Sequence, residues 1–224
     1  MTTRVKRRSY RSEVRAAQAA ATREAVLIAA RELLTTEGYG CPMARIAERA
    51  DVAVDTVYTS VGRKPALVLA VIDMVLGDAD QPLPAEQRGY VRRIRAAAGA
   101  LEKIGIYAGA LSELLPVIAP LLEALRDAGR KDPDCAETWA RLEERRAGNM
   151  LLFEQDLRAT GELRDDLDDQ QVADIVWSTS SAEYYSLVSR RGWSPQQFGT
   201  HLADLWTRTL IDPAVWVPQG PCGP

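Results

Sequence analysis

The sequence predicts an all-α chain in two parts: a short N-terminal helix-turn-helix followed by a larger helical bundle. Three observations carry this. Ala, Leu and Arg dominate a composition with 46% hydrophobic and only 6% aromatic residues, which favours helix over sheet. Apolar residues recur at helical spacing, and no segment shows strand-like alternation. Residues 43–67 contain two short helical segments separated by a three-residue turn.

The elements follow in order. Residues 1–11 are basic and lack periodicity, so they are expected to form a flexible arm; residues 1–19 as a whole read as a basic arm or helix extension. Ser12 and Glu13 suit a helix start. An Ala-rich helix then runs to about Glu37, with Val26, Ala30, Leu33 and Leu34 on its buried face and Gly38 as its stop. A helix from Pro42 to about Ala50, a turn at Asp51-Val52-Ala53 and a helix from Val54 to Ser60 come next. Gly62-Arg63-Lys64-Pro65 opens a fourth helix bearing Leu67, Val68, Val71, Ile72 and Val75. After a turn at residues 81–84, longer helices are expected at about 84–107, 109–129, 134–159, 169–190 and 195–210. Gly109 marks one expected break, and Pro116 and Pro120 predict a kink or split in 109–129. The expected organisation is a helix-turn-helix domain at 20–66, a larger helical domain at 67–212, and an irregular Pro-rich tail at 213–224.

Composition narrows the function. No run of 18 apolar residues occurs, so no membrane span is expected, and no secretory signal is visible. Three scattered cysteines and the single His201 exclude a disulfide framework and a multi-histidine metal site, and they suit a reducing cytoplasm. The net charge is −3, but residues 1–64 hold 12 Lys and Arg against 7 Asp and Glu, a net of +5. The remainder is acidic, so the basic part is expected to meet a polyanion.

The turn has a physical logic. Two helices joined by three residues cross steeply, and Ala47 permits their close approach. Asp51 tolerates the left-handed backbone that the turn wants, though less well than Gly. Val57 is expected to pack on Ile46 and Ala47, leaving the front of the second helix free to enter a major groove.

With Ile46-Ala47, Val52, Thr56-Val57-Tyr58 and Lys64-Pro65-Ala66-Leu67, after Glu37-Gly38-Tyr39-Gly40, the segment resembles the TetR (tetracycline repressor) family. Asp51, Ala53, Val61 and Cys41-Pro42 depart from the family pattern at the turn Gly, a capping Ser, a Phe and a Thr pair. A looser likeness covers Gly161-Glu162-Leu163-Arg164, Asp168, Trp177, Tyr184-Tyr185 and Arg191-Gly192-Trp193-Ser194.

The resemblance implies a ligand-responsive transcriptional regulator, a repressor as a rule, that binds palindromic double-stranded operator DNA as a homodimer through its last two helices. It places Tyr58 and Lys64 on phosphates. Val54, Asp55, Thr56 and Thr59 lie at the front of the recognition helix, where Asp55 is either a base contact or a helix cap. Arg45 is a candidate phosphate or groove contact, and Arg4, Lys6, Arg7, Arg8 and Arg11 suit the minor groove or a nonspecific charge contribution.

Tyr107, Trp139, Met150, Phe153, Trp177 and Tyr184 are either core or the lining of a pocket for a small apolar or aromatic effector. His201 is expected near a dimer contact. No cofactor, metal or catalytic residue is assigned. Two alternatives stand beside this reading: a nonspecific DNA binder, and a magnesium-dependent helical enzyme acting on diphosphates through Asp165-Asp166-Leu167-Asp168-Asp169. In the second case the same carboxylates serve equally as helix caps.

Overall fold

A computed structural model describes the backbone of residues 4–215 and the side chains of residues 13–215. It is helical throughout. Among the described residues there is no strand, only an isolated antiparallel bridge between Leu163 and Ile211. Two compact units divide after Leu83.

The first unit contains α1 (Arg4–Glu37), α2 (Met43–Arg49), α3 (Val54–Val61) and α4 (Lys64–Gly77). Helix α1 begins at Arg4 rather than Ser12, so the basic segment is a helix extension from that residue on. The side chains of Arg4, Lys6, Arg7, Arg8 and Arg11 lie outside the described residues. Val26, Leu27, Ala30 and Leu34 of α1 are buried with Ile46 and Ala47 of α2, Val57 and Val61 of α3, and Leu67, Val68, Val71, Ile72 and Met74 of α4. That burial explains why the division falls after Leu83 and not after residue 66. Helix α4 packs on α1 and completes the first core, which α1, α2 and α3 could not close alone. Pro42 caps α2 from outside rather than opening it.

The second unit starts with a 3-10 turn at Ala85–Gln87. It continues with α5 (Gly89–Ala96), α6 (Ala100–Ala128), α7 (Pro133–Arg158), α8 (Asp169–Thr179), α9 (Ala182–Ser189) and α10 (Pro195–Leu210). The central helix is α6, against which α5, α7, α9 and α10 pack. Three sequence expectations change here. First, the break falls at residues 97–99 instead of Gly109. The Glu162 carboxylate accepts from the Ala100 amide at 2.6 Å and caps α6, while the buried Lys103 ammonium donates to the Ile94 carbonyl at 2.7 Å and closes α5. Second, α6 runs unbroken through Pro116 and Pro120. Each proline removes one helical hydrogen bond, but Leu115, Ile118, Ala119, Leu121 and Leu122 are buried along the same stretch and hold it helical. Third, the expected helix 169–190 splits into α8 and α9, because the Ser181 hydroxyl accepts from the Tyr184 amide at 3.1 Å and starts a new helix.

By length and composition, α6 is apolar enough to cross a bilayer, although charged and polar residues interrupt its apolar runs. Half of its most apolar window is covered by the bundle, as expected of a core helix.

Helix α10 meets α6 at Gly199. A Cβ there would lie 2.8 Å from the Ser112 Cβ and 3.1 Å from the Ala108 carbonyl oxygen. Ala would regain about 1 kcal/mol of helix propensity. Overpacking against a fixed backbone oxygen costs about 1–3 kcal/mol. We therefore expect Gly199→Ala to destabilise the protein by about 1 kcal/mol in chemical denaturation, and Ser112→Gly to return part of the loss. Stabilisation by Gly199→Ala would show that the two helices separate easily.

Candidate functional site

The first candidate site is the outer face of α2 and α3. The turn between them is built as the sequence implies. Asp51 adopts φ 54°, and the Val52 amide donates to the Ala47 carbonyl at 3.0 Å. Ile46, Ala47 and Val57 are buried together at the crossing. This fixes which residues of α3 face outward. Val54 and Tyr58 are 38% and 46% exposed, large values for such side chains, and Asp55 and Thr59 are also exposed. Thr56 is half-buried. The structure thus brings Val54, Asp55, Tyr58 and Thr59 to one accessible helix. Ala53 occupies the cap position of α3 and offers no side-chain acceptor, so Asp55 is not the helix cap. The Thr59 hydroxyl donates to the Asp55 carbonyl at 2.8 Å, which leaves its methyl and lone pairs for an external partner.

Helices α3 and α2 are held by cations. Arg23 of α1 donates to the Ser60 carbonyl at the end of α3. Arg45 pairs with Glu37 at 3.0 Å and Arg49 with Glu32 at 2.6 Å, tying α2 to α1. Arg45 remains more than half exposed. Lys64 donates to the Cys41 carbonyl and lies 4.8 Å from the centre of the Tyr39 ring. Burial holds its ammonium below the ordinary lysine range. Its first role in the free protein is to fasten the start of α4 to the α1–α2 connection. Sequence reasoning missed Arg23 and Tyr39. Arg23 sits in an Ala-rich stretch without a distinguishing motif, and Tyr39 was noted only as part of the family pattern.

The second candidate site lies inside the helical bundle of the second unit. Tyr107 on α6 is buried, and its ring stacks on Trp206 of α10 with centroids 5.6 Å apart. Phe153 of α7 is tilted against Tyr107 at 4.9 Å, and Tyr90 of α5 stacks at 6.1 Å. The Tyr107 hydroxyl donates to the Met150 thioether at 3.5 Å. Burial pushes its phenol well above the usual range, an effect opposed by the nearby Arg146 and Arg88 guanidinium groups. Trp177 flanks this cluster. Arg146 lies over its ring at 5.5 Å, donates to its carbonyl at 2.8 Å and pairs with Glu143 at 2.9 Å. The buried indole nitrogen of Trp177 has no hydrogen-bond partner.

Of the six sequence candidates, Tyr107, Met150 and Phe153 come together, with Trp177 beside them through Arg146. Tyr184 belongs to a separate group. Its hydroxyl meets His201 Nε2 at 2.7 Å, and His201 sits edge-on to Trp193 at 5.0 Å. Trp139 is half-exposed on α7 and joins neither group. Tyr90 and Trp206 were missed. The spacing of Phe198, Leu202, Trp206 and Leu210, all buried on one face of α10, was the available signal for Trp206.

The aspartate-rich segment serves structure. Asp168 accepts from the Gln171 amide at 2.8 Å within a capping box that starts α8. Asp166 pairs with Arg164 at 2.6 Å and Asp169 with Arg158 at 3.1 Å. Among the described residues no three His, Cys, Asp or Glu side chains are grouped to hold a metal ion.

No family model matches the chain, and no curated protein matches it either. Solved structures do. A structure described as a TetR-family transcriptional regulator from Rhodococcus sp. superposes with a TM-score of 0.65 at 15% identity, covering 85% of this chain and 99% of that one. A transcriptional regulator from Saccharomonospora viridis in complex with choline gives 0.64 at 16% identity, over 85% and 97%. The SmeT–triclosan complex gives 0.63 at 17% identity, over 91% and 98%. Likeness over nearly the whole length of each, at such identities, speaks for architecture: this chain has the all-α fold of TetR-family transcriptional regulators.

Proposed function

We propose that the chain is a TetR-family transcriptional regulator, acting as a repressor, that binds a pseudo-palindromic operator as a homodimer and releases it on binding a small effector. The observation that carries this reading is the presentation of Val54, Asp55, Tyr58 and Thr59 on α3, which is fixed at both ends by the Asp51 turn and by Arg23. A helix of this kind, free on one face and braced behind, suits the major groove. In this reading Thr59 and Asp55 meet base edges, and the Tyr58 hydroxyl and Arg45 guanidinium meet phosphates. Lys64 reaches a phosphate only by giving up the Cys41 carbonyl. The basic N-terminal extension adds affinity without sequence information.

A second copy docks on the last two helical segments, where Leu187 of α9 is 57% exposed. The effector enters the aromatic cluster of the second unit. The choline and triclosan complexes of the neighbours support a small molecule as the signal. Release then reflects a coupling free energy between the two sites.

Selection of bound duplexes from a random library, at stated near-physiological salt, tests the reading. Enrichment of an inverted repeat is expected. Tyr58→Ala should weaken binding to the enriched duplex by about 1–2 kcal/mol while leaving the consensus unchanged, because a phosphate contact positions rather than specifies. Recovery of DNA without a consensus would favour a nonspecific binder.

A further inference from the structure

Two buried hydroxyls converge on the sulfur of Met150. The Tyr107 hydroxyl donates to the Met150 sulfur at 3.5 Å, and the Ser180 hydroxyl reaches the same sulfur at 3.9 Å. Ser180 is itself buried, and its other acceptor, the Trp177 carbonyl, stands at a long 3.4 Å and already serves Arg146. The Ser180 and Tyr107 hydroxyls also bear on one another, so one can donate to the other's oxygen, and the remaining proton is left to the thioether. One turn before Ser180 on α8, the buried Trp177 indole N–H donates to nothing. A thioether is among the weakest acceptors in a protein, and a buried donor left without a good acceptor costs stability. The two hydroxyls thus carry one proton more than their oxygens can accept between them, the Trp177 indole adds an unpartnered donor one turn away, and the Arg146 guanidinium lies alongside. The stacked rings of Tyr107, Trp206 and Tyr90 form the adjoining wall.

We propose that the effector is a planar aromatic anion, whose carboxylate or phenolate oxygen takes the place of the Met150 sulfur between Tyr107 and Ser180 while its ring joins the stack. This deepens the regulator reading and rests on it for the meaning of the word effector. Met150 is suited to the exchange, since its unbranched side chain can leave the donors without moving the backbone. Tyr107 keeps its proton, because burial holds its phenol above the ordinary range, and so remains a donor to an anion. Arg146 is paired with Glu143, which leaves Tyr107 and Ser180 as the groups that read the oxygen.

The full-length protein is titrated calorimetrically with 2-naphthoate and with 2-(aminomethyl)naphthalene, two soluble probes that share a ring system. One offers acceptor oxygens and the other, protonated, only donors. Naphthoate is expected to bind at least about tenfold tighter, as one or two hydrogen bonds to a charged acceptor would give. Tyr107→Phe should remove that preference while melting within a few degrees of the parent. Met150→Leu, which takes away the internal acceptor, should keep the preference. Equal binding of the probes, binding of neither, or a preference that survives Tyr107→Phe overturns the proposal. The regulator reading fails separately. An enriched inverted repeat without a naphthoate preference discards the ligand class alone, and a naphthoate preference without any enriched sequence discards the regulator.

Discussion

Replacing Trp206 by Ala should cost about 3–5 kcal/mol in chemical denaturation, the range for emptying a fully buried large aromatic site. Trp206 is completely buried on α10 and stacks on Tyr107, with Phe153 at 6.4 Å. Its indole nitrogen donates to the Thr179 hydroxyl at 2.8 Å and so ties α10 to α8. The lost hydrogen bond adds little to the total, because the Thr179 hydroxyl still donates to the Ile175 carbonyl at 2.6 Å and its oxygen is only partly buried. The cost is therefore one of packing. Trp206→Phe keeps a ring against Tyr107 and is expected to lose no more than about 1–2 kcal/mol. A loss below about 1.5 kcal/mol for Trp206→Ala would mean that α6, α8 and α10 collapse readily into the gap. The aromatic wall would then be too soft to hold a ligand in one orientation.

That same residue shows where sequence reading reached its limit. The helix-turn-helix was legible because its signals are local: a small Ala47 at the crossing, a residue that tolerates a left-handed backbone at Asp51, and the apolar spacing of Ile46 and Val57. The start of α8 was legible for the same reason, since an aspartate cap acts within three residues, whereas the Ser194 cap of α10 went unread beside the Pro195 that marks the same start. The start of α6 was not. Its cap is the carboxylate of Glu162, distant in sequence, and nothing near residues 97–99 announces it. Pro116 and Pro120 misled because proline's cost is local while the burial that overrides it is tertiary. The aromatic candidates were chosen by type, and type does not tell which rings meet. Tyr107 and Phe153 touch, Tyr184 turns to His201, and Trp139 does neither. Trp206 enters the cluster only because Gly199 lets α10 come close to α6.

Arg158→Ala should cost stability in a pH-dependent way. Arg158 binds the buried Glu154 at 2.9 Å and the Asp169 carboxylate at 3.1 Å, and it also donates to the carbonyls of Arg164 and Leu167. Glu154 is 2% exposed. Burial raises its pKa above the ordinary carboxylate range, the Asp169 carboxylate raises it further, and Arg158 alone opposes both. Without Arg158 a buried carboxylate faces another carboxylate with no cation between them. Breaking a fully buried pair costs about 3–5 kcal/mol, but Arg158 is one-third exposed and water screens part of this, so about 2–3 kcal/mol is expected at pH 7.5. The direction with pH follows from the raised pKa. The folded state then binds a proton that the unfolded chain releases, so stability falls as pH rises from the ordinary carboxylate range through the raised value. Removing Arg158 pushes that value higher and widens the window. The variant should therefore recover part of its deficit when the pH is lowered from 7.5 to 5, because more of its Glu154 is protonated at the lower pH. Adding Glu154→Gln should abolish the recovery while leaving the loss that comes from the two orphaned carbonyls. A deficit of equal size at both pH values would assign Arg158 to those carbonyls alone, as a clamp on the loop that leads into α8.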